Sequence, residues 1–151
     1  MTTQGVIVRA AKPSDMSYVL NSWCRSTYTH LQAQQYISKH GPPPHYGIYK
    51  TLFDDVQKRI VANSDVSIAS NEDDDDQILG FLIHGESDGL PLLHYIQVKH
   101  ELWRNGVAAT MCEKANIDKK RPCIYTFTSP ILGKWKAPHK WRHIPHWMLE
   151  K

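Results

Sequence analysis

The sequence predicts a mixed α/β fold: a central, mostly antiparallel sheet that ends in a parallel strand–helix–strand unit. Three observations predict it. β-Branched or alternating apolar runs recur at "GVIVRAA", "DVSIAS", "ILGFLIHGE", "LPLLHYIQVKH" and "CIYTFTS". Two stretches before residue 64 and one after residue 106 carry apolar residues at helical spacing. Three strands follow one another directly, whereas the fourth and fifth are separated by a helix, the pattern of a meander followed by a right-handed crossover.

Each element has a local reason. Residues 5–11 read as a first strand, and "KPSD" supplies Pro13 with Ser14 and Asp15 as capping residues. Met16, Val19, Leu20, Trp23 and Thr27 predict a helix to about residue 27; residues 28–40 are ambiguous and allow a second short helix. "HGPPPHYG" is irregular, because three successive prolines remove donors and fix φ. Ile48, Leu52, Phe53, Val56 and Ile60 predict a helix ending near Asn63. Strands follow at 65–70, 78–86 and 90–100. "NEDDDDQ" between the first two reads as a solvated turn, and "SDGLP" between the last two has strong turn chemistry. A helix over 106–117 and a strand over 123–129 complete the crossover. The tail from Pro130 is cut by Pro138 and Pro145, leaving room for a helical turn and a final strand.

Without internal repeats or a linker-like stretch, residues 1–151 read as one domain. The hydrophobic fraction of 41% is that of a folded chain, and a net charge of +3 does not by itself announce a nucleic-acid binder. Cys24, Cys112 and Cys123 are odd in number and far apart, which points away from a disulfide framework and toward a reducing compartment. The first residues have no signal-peptide pattern, and no stretch approaches the roughly 20 apolar residues that span a bilayer. The expectation is a soluble cytoplasmic protein with no membrane association.

The joint between the fourth strand and the following helix carries the chemistry. "HYIQVKHELWRNGVAATM" places Gly106 where the first N–H groups of a helix have no intrahelical partner and the dipole adds positive charge. A glycine there lets a phosphate approach without a Cβ in the way, small residues after it keep the approach open, and Arg104 can add a charged contact. The joint is competent for a pyrophosphate. The other phosphate signatures, GxxxxGK[ST] and GxGxxG, are absent.

With this joint in its setting, the chain resembles the GNAT superfamily of N-acetyltransferases over most of its length, from "VIVRAAKPSDMSYVLNSW" to "IYTFTSP". The family's turn (Gln or Arg, two residues, Gly, one residue, Gly or Ala) falls on Trp103, Arg104, Asn105, Gly106, Val107 and Ala108. Gly106 and Ala108 match; Trp103 stands where Gln or Arg is expected, with the basic residue one place on, at Arg104. "DDQILGFLIHG" followed by "LLHYIQVKHELWRNGVA" is similar to the small GNAT proteins encoded by tailed phages, which would place the protein in a host cytoplasm. The resemblance implies acetyl-CoA as cofactor and an amine-bearing acceptor, small molecule or macromolecule. It also implies that the fourth strand splays from its parallel neighbour, and that exposed backbone groups of Ile96 and Val98 pair with the pantetheine arm.

Acetyl transfer to an amine needs a proton acceptor, a donor to the developing oxyanion and an acid for the departing thiolate. His94, two and four residues before Ile96 and Val98, shares their face if the strand alternates strictly, and is the first candidate base. Its competing role is a histidine satisfied inside the sheet. Glu86, beside the "SDGLP" turn, is the second candidate. The tyrosine acid that the family often places after the fifth strand is missing: no tyrosine follows Tyr125, which sits within the strand, and Thr128 and Ser129 are weak substitutes.

Other clusters favour plainer readings. "DDDD" at 73–76 lacks the spaced carboxylates and glycine of a calcium loop. His139, His143 and His146 lack a cysteine pair and are interrupted by Pro145, so no metal site is expected. "GPPPHY" reads as a rigid loop over the acceptor cleft, or as a polyproline ligand. "KWKAPHKWR" interleaves cations with indoles; it is either a basic edge closing the core or a surface for nucleic acid or a host protein. Two functions stay open: an acetyl-CoA-dependent N-acetyltransferase, and a GNAT-shaped binding module without catalysis.

Overall fold

A computed structural model describes residues 5–33, 45–103, 105–118, 120–127 and 141–149. The chain forms two compact units, one of residues 12–63 and one of the segments on either side of it.

The first unit is a helix pair. A 3-10 turn at Pro13–Asp15 leads into α1 (Met16–Ala33). The buried Asp15 carboxylate accepts the Lys12 N–H at 2.7 Å and fixes the entry. α1 runs about six residues past the predicted end, absorbing the start of the ambiguous stretch; "GPPP" lies outside the described residues. The second helix is α2 (Tyr46–Ala62). Trp23 of α1 meets Phe53 of α2 edge-on at 5.3 Å, and the buried Gln57 donates across to the Leu20 carbonyl at 2.8 Å. The predicted apolar stripe of α2 is partly corrected. Phe53 and Ile60 are buried, but Ile48 and Leu52 are 58% and 66% exposed. The row that faces α1 passes through Tyr49, Phe53, Gln57 and Ile60, i to i+4 and then i+3, so a tyrosine and a glutamine take places that apolar spacing assigned elsewhere.

The second unit is a six-stranded sheet in sequence order: β1 (Val6–Ala10), β2 (Asp65–Asn71), β3 (Asp74–Ser87), β4 (Leu90–Val98), β5 (Cys123–Tyr125) and β6 (Trp141–His143). β1 to β4 are antiparallel; β5 is parallel to β4, and β6 to β5. This is the predicted meander and crossover. The tail supplies the expected last strand and a short helix, α4 (His146–Leu149). The acidic run is less solvated than expected. Only Glu72 and Asp73 form the turn, Asp74 already opens β3, and the Asp75 carboxylate accepts Arg9 Nε–H of β1 at 2.7 Å. Asp88 and Gly89, both at positive φ, make the two-residue hairpin turn into β4.

Between β4 and β5 lies α3 (Val107–Lys114). It ends three residues before the predicted limit. Asn116 takes φ 59°, its N–H bonds the Glu113 carbonyl, and Ile117 N–H bonds Cys112 O at 2.8 Å. These two bonds are a Schellman stop with asparagine at the left-handed position and a buried Ile117 behind it. α3 packs on one face of the sheet, where Ala69, Leu82, Leu93, Ile96 and Val98 join Val107, Ala108, Met111 and Cys112 in one core cluster. Gly80 makes the fit: a Cβ there would lie 2.8 Å from the Gln97 carbonyl and 3.3 Å from Met111. No described helix is long and apolar enough to cross a membrane.

Candidate functional site at the fork of β4 and β5

β4 and β5 are paired only at Leu92–Ile124 and Leu93–Tyr125, closed by the bond from Thr126 N–H to Leu93 O at 3.1 Å. Beyond that bond the edge of β4, from His94 to Val98, has no strand partner among the described residues. Its backbone groups can be assigned. Lys99 N–H reaches across to Leu79 O of β3, so Gln97 and Tyr95 face β3 as well, while Ile96 and Val98 face the open edge. These are the two residues whose backbone groups the family resemblance assigns to the pantetheine arm.

The open edge leads to the start of α3. Gly106, exposed and at φ 78°, is the N-cap, and its carbonyl accepts Thr110 N–H as the first helical bond. The N–H groups of Val107, Ala108 and Ala109 precede that bond, and Gly106 has no side chain to cap them. The side chains of Val107 and Ala108 are buried in the core cluster. These two residues therefore offer the joint only their amides, while Asn105, Gly106 and Ala109 form its exposed surface. Arg104 lies outside the described residues.

Trp103 has a role that the sequence did not disclose. Its indole Nε1–H donates to the Val98 carbonyl at 2.7 Å. That carbonyl is one of the groups turned to the open edge.

At the apex of the fork, His94 Nδ1 lies 2.8 Å from Thr126 Oγ1, and both residues are buried. Burial first, then charge repulsion from the His146 and His84 imidazoles, lowers the His94 pKa to about 4, so the ring is neutral at pH 7. The strict alternation on which the face argument rested is interrupted at this point. The ladder slips between Ile83 and His84, so that His84 opposes Leu93 while Ile83 opposes Tyr95, leaving His94 as the extra residue of a β-bulge. Leu93, at odd spacing, packs in the same cluster as Ile96 and Val98, so strict alternation does not by itself fix the face of His94. The bulge re-aims the histidine toward Thr126. Thr126 was not singled out in the sequence; its one signal is its place directly after β5.

Glu86 is not brought to the fork. It is exposed and pairs with Pro91, three residues or about 10 Å up the strand from His94. Tyr125 packs against the core with its ring 5.2 Å from His143, and Thr128 and Ser129 lie outside the described residues. The thiols are poor nucleophiles where a shift is resolved: burial raises the Cys24 pKa and pushes Cys123 up to about 12. Among the described residues no group of three or more His, Cys, Asp or Glu side chains is placed to hold a metal ion.

No family model matches the sequence, and no curated protein matches it. Solved structures do. An acetyltransferase from Corynebacterium glutamicum, described as histone acetyltransferase HPA2 and related, superposes with a TM-score of 0.58 over 88% of this chain and 82% of its own, at 13% identity. A protein from Pyrococcus furiosus assigned as an acetyl transferase gives 0.51 over 87% and 89%, at 14% identity. The fold is that of the GNAT acetyltransferases. At such identities the likeness is one of GNAT fold. The chain spans 66% of a GCN5-related N-acetyltransferase from Rhodopseudomonas palustris, aligned over 77% of this chain at 15% identity and a TM-score of 0.49. It spans 34% of a protein from Pyrococcus horikoshii assigned as an acetyltransferase.

Proposed function

We propose that the protein is an acetyl-CoA-dependent N-acetyltransferase that moves an acetyl group to an amine-bearing acceptor, small molecule or macromolecule, in the cytoplasm (that of a host, if the chain is phage-encoded). One observation carries the reading: the edge of β4, which has no strand partner among the described residues, runs into the N-terminus of α3, capped by a glycine with no side chain. The amides of Val107, Ala108 and Ala109 with Gly106 would hold the pyrophosphate, and Ile96 would pair with the pantetheine arm. The thioester would then reach toward the fork, where β4 bulges.

There the amine attacks the thioester carbonyl carbon, the C–S bond breaks, and the coenzyme leaves as a thiolate that takes up a proton. We assign His94 as the group that accepts the amine's proton. When its Nδ1–H donates to Thr126 Oγ1, Nε2 keeps its lone pair for that purpose. With a pKa near 4 the ring is a weak base. It acts as the nitrogen becomes acidic on attack, and it gives the proton up readily to the thiolate.

Calorimetry with acetyl-CoA on two matched variants tests the cofactor site. Asparagine and aspartate both tolerate the left-handed conformation of Gly106. Gly106→Asn is expected to keep measurable binding. Gly106→Asp, of the same size, places a negative charge against the phosphates and is expected to weaken binding at least tenfold. Equal affinities in the two variants, with both folded, would place the phosphates elsewhere.

A further inference from the structure

The acetyltransferase reading leaves one contact unexplained. Of the two residues whose backbone faces the open edge, Val98 has its carbonyl already bonded, to the Trp103 indole at 2.7 Å. A neighbouring strand would have placed an N–H there; this chain places a side chain. The contact is well supported. Trp103 is half-buried and packs against the core cluster, and its ring lies 4.5 Å from that of His100. The backbone beneath is a 3-10 turn, with Leu102 N–H on Lys99 O at 2.8 Å and Trp103 N–H on His100 O at 3.2 Å. Rotating the indole away breaks neither of those bonds. A side-chain rotation alone uncovers the carbonyl, and Gly106, where the phosphates would sit, is three residues further on.

The arm of coenzyme A carries secondary amides, whose N–H groups are donors of the kind the indole supplies. We propose that Trp103 is a displaceable cap on the cofactor groove: its indole N–H holds the Val98 carbonyl until an amide N–H of the pantetheine arm replaces it. This rests on the acetyl-CoA reading and deepens it. Trp103 sets the affinity for the arm and leaves the affinity for the nucleotide alone. It also keeps the open edge from presenting a bare acceptor to strands of other chains while the groove is empty.

The test compares coenzyme A with adenosine 3′,5′-diphosphate, which has the nucleotide but no arm, on the wild-type chain and on Trp103→Phe. Phenylalanine keeps a ring against the core and removes the indole donor. Coenzyme A is expected to bind Trp103→Phe about fivefold more tightly, the size of one net hydrogen bond no longer displaced, with the diphosphate unchanged. In the wild-type chain, nitrogen-15 labelling of tryptophan gives a second readout. The indole resonance that is missing from Trp103→Phe is expected to move upfield on adding coenzyme A and to stay in place with the diphosphate. Unchanged or weaker coenzyme A binding by the variant, equal tightening of both ligands, or a stationary indole resonance would overturn the cap. If wild type and variant both melt as folded proteins and neither binds coenzyme A, the acetyltransferase reading falls with it. Equal binding by both removes the cap alone.

Discussion

His94 makes folding stability depend on pH, in a direction and amount that follow from its site. Its pKa falls from the ordinary 6.5 of an unfolded chain to about 4 in the folded one, chiefly through burial. Between those values the unfolded state binds the proton and the folded state does not, so stability is full above about pH 6.5 and is lost as the pH falls toward 4. At 1.36 kcal/mol per unit the full effect is about 3 kcal/mol, of which about 2 kcal/mol is lost by pH 5. The control is His94→Gln, which keeps a hydrogen-bonding group beside Thr126 and does not titrate. Urea unfolding of both proteins at pH 8, 7, 6 and 5 isolates the histidine, because other groups titrate in both. The variant is expected to gain about 2 kcal/mol on the wild type between pH 8 and pH 5. A stability difference that stays constant over this range would refute the reasoning: His94 would then be solvated, and neither its depressed pKa nor its burial at the fork would stand.

Three further outcomes follow from the same structure. Gly80→Ala forces a Cβ to within 2.8 Å of the Gln97 carbonyl and is expected to cost about 1–3 kcal/mol in a denaturant titration, an unchanged midpoint contradicting this close approach of the Gln97 backbone. Gly89, at φ 79° with open space around its missing Cβ, is under backbone constraint alone; Gly89→Ala is expected to lose about 1 kcal/mol and Gly89→Asn clearly less, as thermal melts would show. The Cys123 thiol, pushed up to about 12 by burial, is expected to resist iodoacetamide at pH 8 until urea unfolds the chain, and mass-mapped labelling of the native protein at that residue would contradict this.

The strands, their order and the crossover could be read from the sequence because they rest on local signals: β-branched runs, the Asp-Gly turn, a glycine before a helical repeat. Ile96 and Val98 came from the family resemblance, by position, and the segment from 95 to 99 is regular enough for that position to hold along the strand. The argument for the face of His94 rested on alternation, and that regularity is interrupted there. One inserted residue reverses the parity of everything before it, and no residue type in "LLHYI" announces the insertion. The end of α3 was misplaced for a related reason: Asn116 stops the helix by adopting a left-handed conformation, and "KANID" carries no proline or glycine to mark it. In α2 the apolar positions were real, but the face turned to α1 was decided by where Trp23 stands.

By itself the sequence determined the list of elements and the glycine at the start of the helix after β4, because hydrogen-bond periodicity and backbone sterics act over a few residues. Only the tertiary structure decided what the joint and its strand present. It buried His94 against Thr126, 32 residues away in sequence, and moved Glu86 up the strand from the fork. It also turned Trp103 back onto Val98. Those outcomes depend on ladder register and on which groups lose water, and both are set by strands that the local sequence does not contain.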